Sequence, residues 1–140
     1  MPAAPPEKTI PAAVVTEKGG AHLGAYFAAL RDTPECEAVV LCDPGKTNQE
    51  EAKKILGEKL SAVFDDIGTM LMKAKPVMAL VSMEAGNASP VIGKSLDGGV
   101  HIFAEKPDCL SAAEFEPLVK KAEAANLTNP IAGICFFKGF

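Results

Sequence analysis

Basic residues are the scarcer charged class in this 140-residue chain: 14 Lys and Arg stand against 18 Asp and Glu, for a net charge of -4. With nothing basic clustered to meet phosphates, a nucleic-acid surface and a membrane-surface role are both excluded. No apolar run reaches the roughly 20 residues that a membrane span needs. The four cysteines, Cys36, Cys42, Cys109 and Cys135, include no C-x-x-C pair and have no His at ligand spacing. A structural zinc is therefore not expected, and no metal site is assigned. The cysteines read as small buried hydrophobes in a reducing cytoplasm. Histidine occurs only as His22 and His101, and for both a structural role is expected. Residues 1–8 are rich in Pro and Ala but lack the apolar core of a secretory signal, so they read as a disordered tail.

What is present suits one folded unit over residues 9–140. Apolar residues make up 48% of the chain and charged residues 23%, an ordinary balance for a globular domain of this length. Residues 9–15, 37–42, 61–64, 76–81, 100–104 and 131–136 read as strands. The second is apolar without alternation, as in a strand buried on both faces. Between them lie helical patterns. Leu23, Phe27 and Leu30 share one face of a helix over residues 21–31. Thr47-x-x-Glu50 and Ser111-x-x-Glu114 are capping boxes that open two further helices. Asp65 and Asp66 suit the cap of a short fourth helix. A fifth is expected over residues 89–96, with Pro90 in its first turn, where a missing N–H is not felt. Phe115, Leu118, Val119 and Ala122 make the inward stripe of the last helix. Strand and helix alternate throughout, which specifies an α/β fold: a doubly wound, mostly parallel sheet of about six strands with helices on both faces.

Such sheets bind ligands outside the carboxyl ends of their strands. The candidate site residues are therefore at the strand exits. The first exit carries Gly19 and Gly20 ahead of a helix N-terminus, which suits either a phosphate or a plain turn; Glu17 adds a negative charge there. Asp43 closes the second strand some 20 residues later. It suits either a carboxylate on the ribose hydroxyls of NAD or a turn residue before Pro44-Gly45. Ser82 begins the exit of the fourth strand. Glu105-Lys106-Pro107 ends the fifth, as two solvated charges or as a Lys that hydrogen-bonds a substrate oxygen during hydride transfer.

Four pieces now occur in order: Ala21-His22-Leu23-x-Ala25-Tyr26, Leu41-Cys42-Asp43-Pro44, Glu105-Lys106-Pro107 with its Ser111/Glu114 helix, and Gly133-x-x-Phe136-x-x-Gly139-Phe140. Together they resemble the N-terminal Rossmann domain of the Gfo/Idh/MocA (glucose–fructose oxidoreductase / inositol dehydrogenase) family. The resemblance covers nearly all of the chain after the tail, and the E-K-P piece is its most specific part. It implies NAD(P)-dependent oxidation or reduction of a sugar, polyol or related alcohol. Asp43 would hold the adenosine ribose, favouring NAD over NADP. Glu105 would lie along the cofactor, and Lys106 would sit beside nicotinamide and substrate. The Lys106-Pro107 bond would be open to the cis form, which costs little before proline.

Three features depart from the family. Its glycine-rich turn is not intact: aligned without gaps through His22, the glycine positions fall on Val14, Thr16 and Glu17, and a gapped alignment recovers Gly19 and Gly20 but not the full motif. Its Thr-Pro and His after the fourth strand are replaced by Ser82-Met83-Glu84-Ala85-Gly86-Asn87-Ala88. Its Arg near the domain's end is replaced around Lys138-Gly139. The family's C-terminal substrate domain is also missing from these 140 residues, so a catalytically complete enzyme is not expected from them. A last strand with an open edge could pair two chains into a homodimer. The alternative expectation is a degenerate Rossmann module that binds no dinucleotide and serves interaction or regulation.

Overall fold

The computed structural model describes residues 9–125. The expected N-terminal tail, the sixth strand at 131–136 and the Lys138-Gly139 end lie outside them. Five strands are seen: β1 (Ile10–Thr16), β2 (Cys36–Cys42), β3 (Leu60–Phe64), β4 (Met78–Ser82) and β5 (His101–Ala104). They form one parallel sheet in the order β3-β2-β1-β4-β5. Helices α1 (Leu23–Asp32), α2 (Gln49–Leu56), α3 (Ile67–Ala74), α4 (Ala85–Asp97) and α5 (Ala112–Ala124) alternate with the strands.

The central strand explains the layering. Ala12, Ala13, Val14 and Val15 of β1 are all buried, so both faces of the sheet are covered. Ala12 and Val14 pack with Leu23 and Phe27 of α1 and Ala52 and Leu56 of α2. Ala13 and Val15 pack with Met70 of α3, Ile92 and Leu96 of α4, and Leu118 and Ala122 of α5. Each strand thus sends alternate side chains to opposite cores. Pro11 is tolerated in this central strand because it lies at the entry, beside a register shift between Ile10 and Pro11.

Four helix starts differ from the sequence expectation or refine it. The α2 box at Thr47 is not used. Asn48 is the N-cap, and its backbone N–H donates to the Asp43 carboxylate at 2.7 Å. Helix α4 begins at Ala85, four residues early, so Pro90 lies inside it. The lost bond falls on Gly86, whose exposure leaves its carbonyl to water. At α5 the expected box forms: Ser111 Oγ accepts from the Glu114 N–H at 3.3 Å. The reciprocal bond shifts by one residue, with the Leu110 N–H donating to the Glu114 carboxylate at 2.9 Å. Of the two acids offered for α3, Asp66 is the cap, accepting from the Thr69 N–H.

The strand order reverses at the centre. The chain runs outward from β1 to β3, returns through α3 to β4, and continues outward to β5. The carboxyl ends of β1 and β4 therefore border a crevice at the reversal, and β5 brings Glu105 and Lys106 to its side.

Candidate nucleotide-binding crevice

A cleft of about 390 Å³ opens here, lined by Glu17, Lys18, Gly19 and Ala21 after β1, Met83 and Glu84 after β4, and Glu105 and Lys106 after β5. A neighbouring, more apolar hollow of about 450 Å³ is lined by Met83, Glu84, Ala85, Gly86, Pro107 and Leu110. Of the expected site residues, the structure brings Gly19, Glu105 and Lys106 to the cleft and Pro107 to the hollow beside it. Gly20 and Ser82 lie beneath the cleft floor. Asp43 stands apart at the exit of β2.

The floor is a set of short hydrogen bonds between strand exits. Thr16, fully buried at the end of β1, donates from Oγ1 to the Ser82 carbonyl at 2.8 Å. Ser82 Oγ donates in turn to the Ala21 carbonyl at 2.8 Å. This fixes why Gly20 is glycine: a Cβ there would lie 2.1 Å from Thr16 Oγ1 and 2.9 Å from the Ser82 carbonyl. Its smallness serves the packing of the floor. Gly19 differs, with φ +82° and open space around it, so it supplies the turn's left-handed residue.

Glu105 anchors the E-K-P exit. It is buried, and its Oε2 accepts from His22 Nδ1 at 2.8 Å and from the Tyr26 hydroxyl. Its Oε1 accepts from the Lys106 N–H at 3.0 Å. Burial acts to raise the carboxyl, but the bonds from Tyr26, His22 and the Lys106 N–H outweigh it and hold the pKa below its ordinary value. His22 sits at the N-cap of α1 in the left-handed region (φ 59°), and Tyr26 follows one turn later. Both therefore approach Glu105 from the same helix face, and Tyr26 also stacks edge-on against Phe103 of β5 at 5.9 Å. With Glu105 clamped, Lys106 and Pro107 stand exposed at the mouth. The Lys106-Pro107 bond is cis.

Asp43 is wholly buried. Its Oδ2 accepts from the Asn48 N–H at 2.7 Å and its Oδ1 from Asn48 Nδ2 at 3.4 Å. Its carboxylate thus closes the turn into α2, and a ribose hydroxyl reaching it would have to share it with Asn48.

Two features were not singled out from the sequence for what they do here. Glu17 reaches across the crevice. Its Oε1 accepts from the Glu84 N–H at 2.8 Å, and Oε2 from Asn87 Nδ2 at 3.0 Å. Only its charge was legible, because its partners lie 67 and 70 residues away. Asp108, just past the cis bond, keeps one buried carboxyl oxygen without a partner among the described residues, and burial raises its pKa.

The crossover and the exits around it define a nucleotide-binding α/β domain of the Rossmann type. Residues 14–130 match the oxidoreductase family with an NAD-binding Rossmann fold known as Gfo/Idh/MocA, and the chain belongs to that family. Among solved structures it is similar to scyllo-inositol dehydrogenase from Lactobacillus casei with bound NAD(H) and scyllo-inositol, at 24% identity and a TM-score of 0.70, covering 85% of this chain and 34% of that one. It is also similar to a Gfo/Idh/MocA family oxidoreductase from Vibrio cholerae (22%, TM-score 0.71, 84% and 36%). A third is UDP-N-acetylglucosamine 3-dehydrogenase from Acidithiobacillus ferrooxidans (22%, TM-score 0.62, 85% and 36%). The chain thus spans about a third of the length of these proteins. No curated protein matches it. No described helix is long and apolar enough to cross a membrane.

Proposed function

We propose that the chain binds NAD across the β1/β4 crevice, as the nucleotide-binding part of a dehydrogenase acting on a sugar, polyol or related alcohol in the cytoplasm. The observation that carries this reading is the clamped Glu105: it fixes the strand exit so that Lys106 projects at the mouth of the cleft. The crevice fits the cofactor. It is open along the crossover, Gly19 lets the backbone turn closely, and Lys18 and Lys106 place positive charge on its walls.

When bound, NAD supplies the nicotinamide carbon that exchanges a hydride with the substrate. This chain's own residues do the rest of the work assigned here. Gly19 and the loop around it approach the phosphates. Gly20 and Ser82 hold the floor beneath them through Thr16 and Ala21. Asp43 sets the α2 turn beside the ribose end, and its negative charge favours NAD over NADP. Lys106 is the catalytic residue, hydrogen-bonding the substrate oxygen and stabilising negative charge on it. The Glu105 carboxylate holds the exit by accepting from the Lys106 backbone N–H, and Pro107 lines the hollow beside the cleft.

A second reading has one observation in its favour. The Glu17 carboxylate already occupies the donors at the start of α4, which suits a module without dinucleotide. Calorimetric titration with NAD and NADP separates the two. Saturable binding of NAD, tighter than NADP, is expected. No heat with either at about 1 mM, and no rise in melting temperature, would overturn the NAD reading.

A further inference from the structure

The NAD reading makes no use of the more apolar hollow beside the cleft. Its volume of about 450 Å³ is in the range of small-molecule sites. Met83, Ala85, Pro107 and Leu110 give it apolar walls. Leu110 is 71% exposed, one of three large apolar side chains that the described residues leave to water. It leans over Gly86 on the opposite wall, where an added Cβ would stand 3.5 Å from Leu110 Cδ1. An exposed apolar wall beside a cleft suits a ligand groove. The one charged group in the lining is Glu84. Its side chain is exposed and makes no hydrogen bond or ion pair among the described residues. Met83 and Glu84 also line the cleft, and Pro107 directly follows Lys106. The hollow is thus continuous with the cleft at the end where Lys106 stands.

We infer that this hollow is the subsite for the substrate's carbon frame, and that the substrate is an alcohol carrying an ammonium group. The oxygen to be oxidised lies at Lys106, the ring or chain rests against Met83, Pro107 and Leu110, and the ammonium pairs with the Glu84 carboxylate. The inference rests on the NAD reading above and narrows its substrate class. A polyol hydroxylated all round would set hydroxyls against the apolar walls, where they lose water without gaining a partner. An anionic substrate would meet the Glu84 charge, with the Glu17 carboxylate close behind it on the Glu84 N–H at 2.8 Å. An amine-bearing ring with an apolar face meets neither cost.

The test follows the methyl signals of Met83 and Leu110 by NMR in the whole chain. NAD is added first, and the mixture is then titrated with trans-4-aminocyclohexanol, which is cationic at pH 7, or with neutral cyclohexanol. Glu84→Gln removes the charge at constant shape, and Glu123→Gln removes one far along α5; both are checked for an unchanged circular-dichroism spectrum. Saturable movement with the amino alcohol is expected, half-complete below about 50 mM. It should bind about threefold tighter than cyclohexanol, as suits an exposed ion pair. That preference should vanish in Glu84→Gln and persist in Glu123→Gln. Equal affinity for the two alcohols in wild type overturns the inference, as does a preference that survives Glu84→Gln. An equal loss in Glu123→Gln also overturns it, because general charge then explains the effect. So does the absence of movement at both methyls, and in each of these cases NAD binding, read from the first addition, still stands. If NAD does not bind, the NAD reading falls and the substrate assignment falls with it.

Discussion

His22 Nδ1 lies 2.8 Å from Glu105 Oε2, joining residues 83 positions apart in the chain. The contact ties the start of α1 to the exit of β5, across the exit of β4 that lies between β1 and β5 in the sheet. It also accounts for the backbone at His22. A non-glycine residue in the left-handed region is disfavoured by roughly 1–2 kcal/mol, and the Glu105 contact helps to offset that cost.

Glu105→Gln should therefore lower stability by about 1–3 kcal/mol, since it removes the charge that Tyr26, His22 and the Lys106 N–H all serve. Acid unfolding reads the same group. The folded-state pKa lies below the ordinary value of 4.5. Its contribution is thus fully present above pH 4.5 and is lost as pH falls through the folded value. Wild-type stability should fall across that window more steeply than that of Glu105→Gln. Equal acid limbs in urea unfolding at stepped pH would contradict the clamp.

Gly20 and Thr16 should behave as a coupled pair. Gly20→Ala places a methyl 2.1 Å from Thr16 Oγ1, so a loss of about 1–3 kcal/mol is expected. Adding Thr16→Ala should recover part of it, although the Ser82 carbonyl remains 2.9 Å away. A double-mutant cycle should give a coupling of about 0.5–3 kcal/mol. Strict additivity would show that the floor relaxes some other way.

The far end of α1 offers a measurement remote from the crevice. Lys59 Nζ donates to the carbonyls of Leu30, Arg31 and Thr33 at 2.9, 2.7 and 2.8 Å. The Leu30 and Arg31 carbonyls belong to the last turn of α1, where no i+4 N–H within the helix reaches them. Lys59→Met keeps the stem and loses the donors, and should cost about 1 kcal/mol by urea midpoint, with the charge-dependent part shrinking as salt is raised.

Burial should silence the thiols. Cys42 is fully enclosed, and burial, with Asp66, Asp43 and Asp65 nearby, pushes its pKa up to about 11. Cys36 is raised as well, chiefly by burial. Neither is a thiolate at pH 8, so both should resist alkylation until the chain is unfolded. Mass mapping of labelled peptides checks this, and rapid native labelling of either would contradict the packing.

Alternation and strand exits were legible because they rest on local periodicity. The uninterrupted apolar run ending at Cys42 announced a strand covered on both faces, and Glu105-Lys106-Pro107 announced an exit with charge. What the sequence hid depends on partners far away. Helix α4 begins at Ala85 because Glu17, from another loop, helps to satisfy its start, whereas the local signal at Pro90 pointed four residues later. Asn48 displaced Thr47 as a cap because Asp43 was folded against it. Likewise His22 and Tyr26 stood in one stretch of sequence at the start of α1, but nothing local said that a buried carboxylate from β5 would fill the space beside them.

The most direct test of the crevice is an amide chemical-shift titration with NAD on the isotopically labelled chain. The account requires saturable movement of the Gly19, Glu84, Glu105 and Lys106 amides, with the α1 end near Lys59 stationary. Shifts confined to other surfaces, or none at about 5 mM NAD, would contradict it.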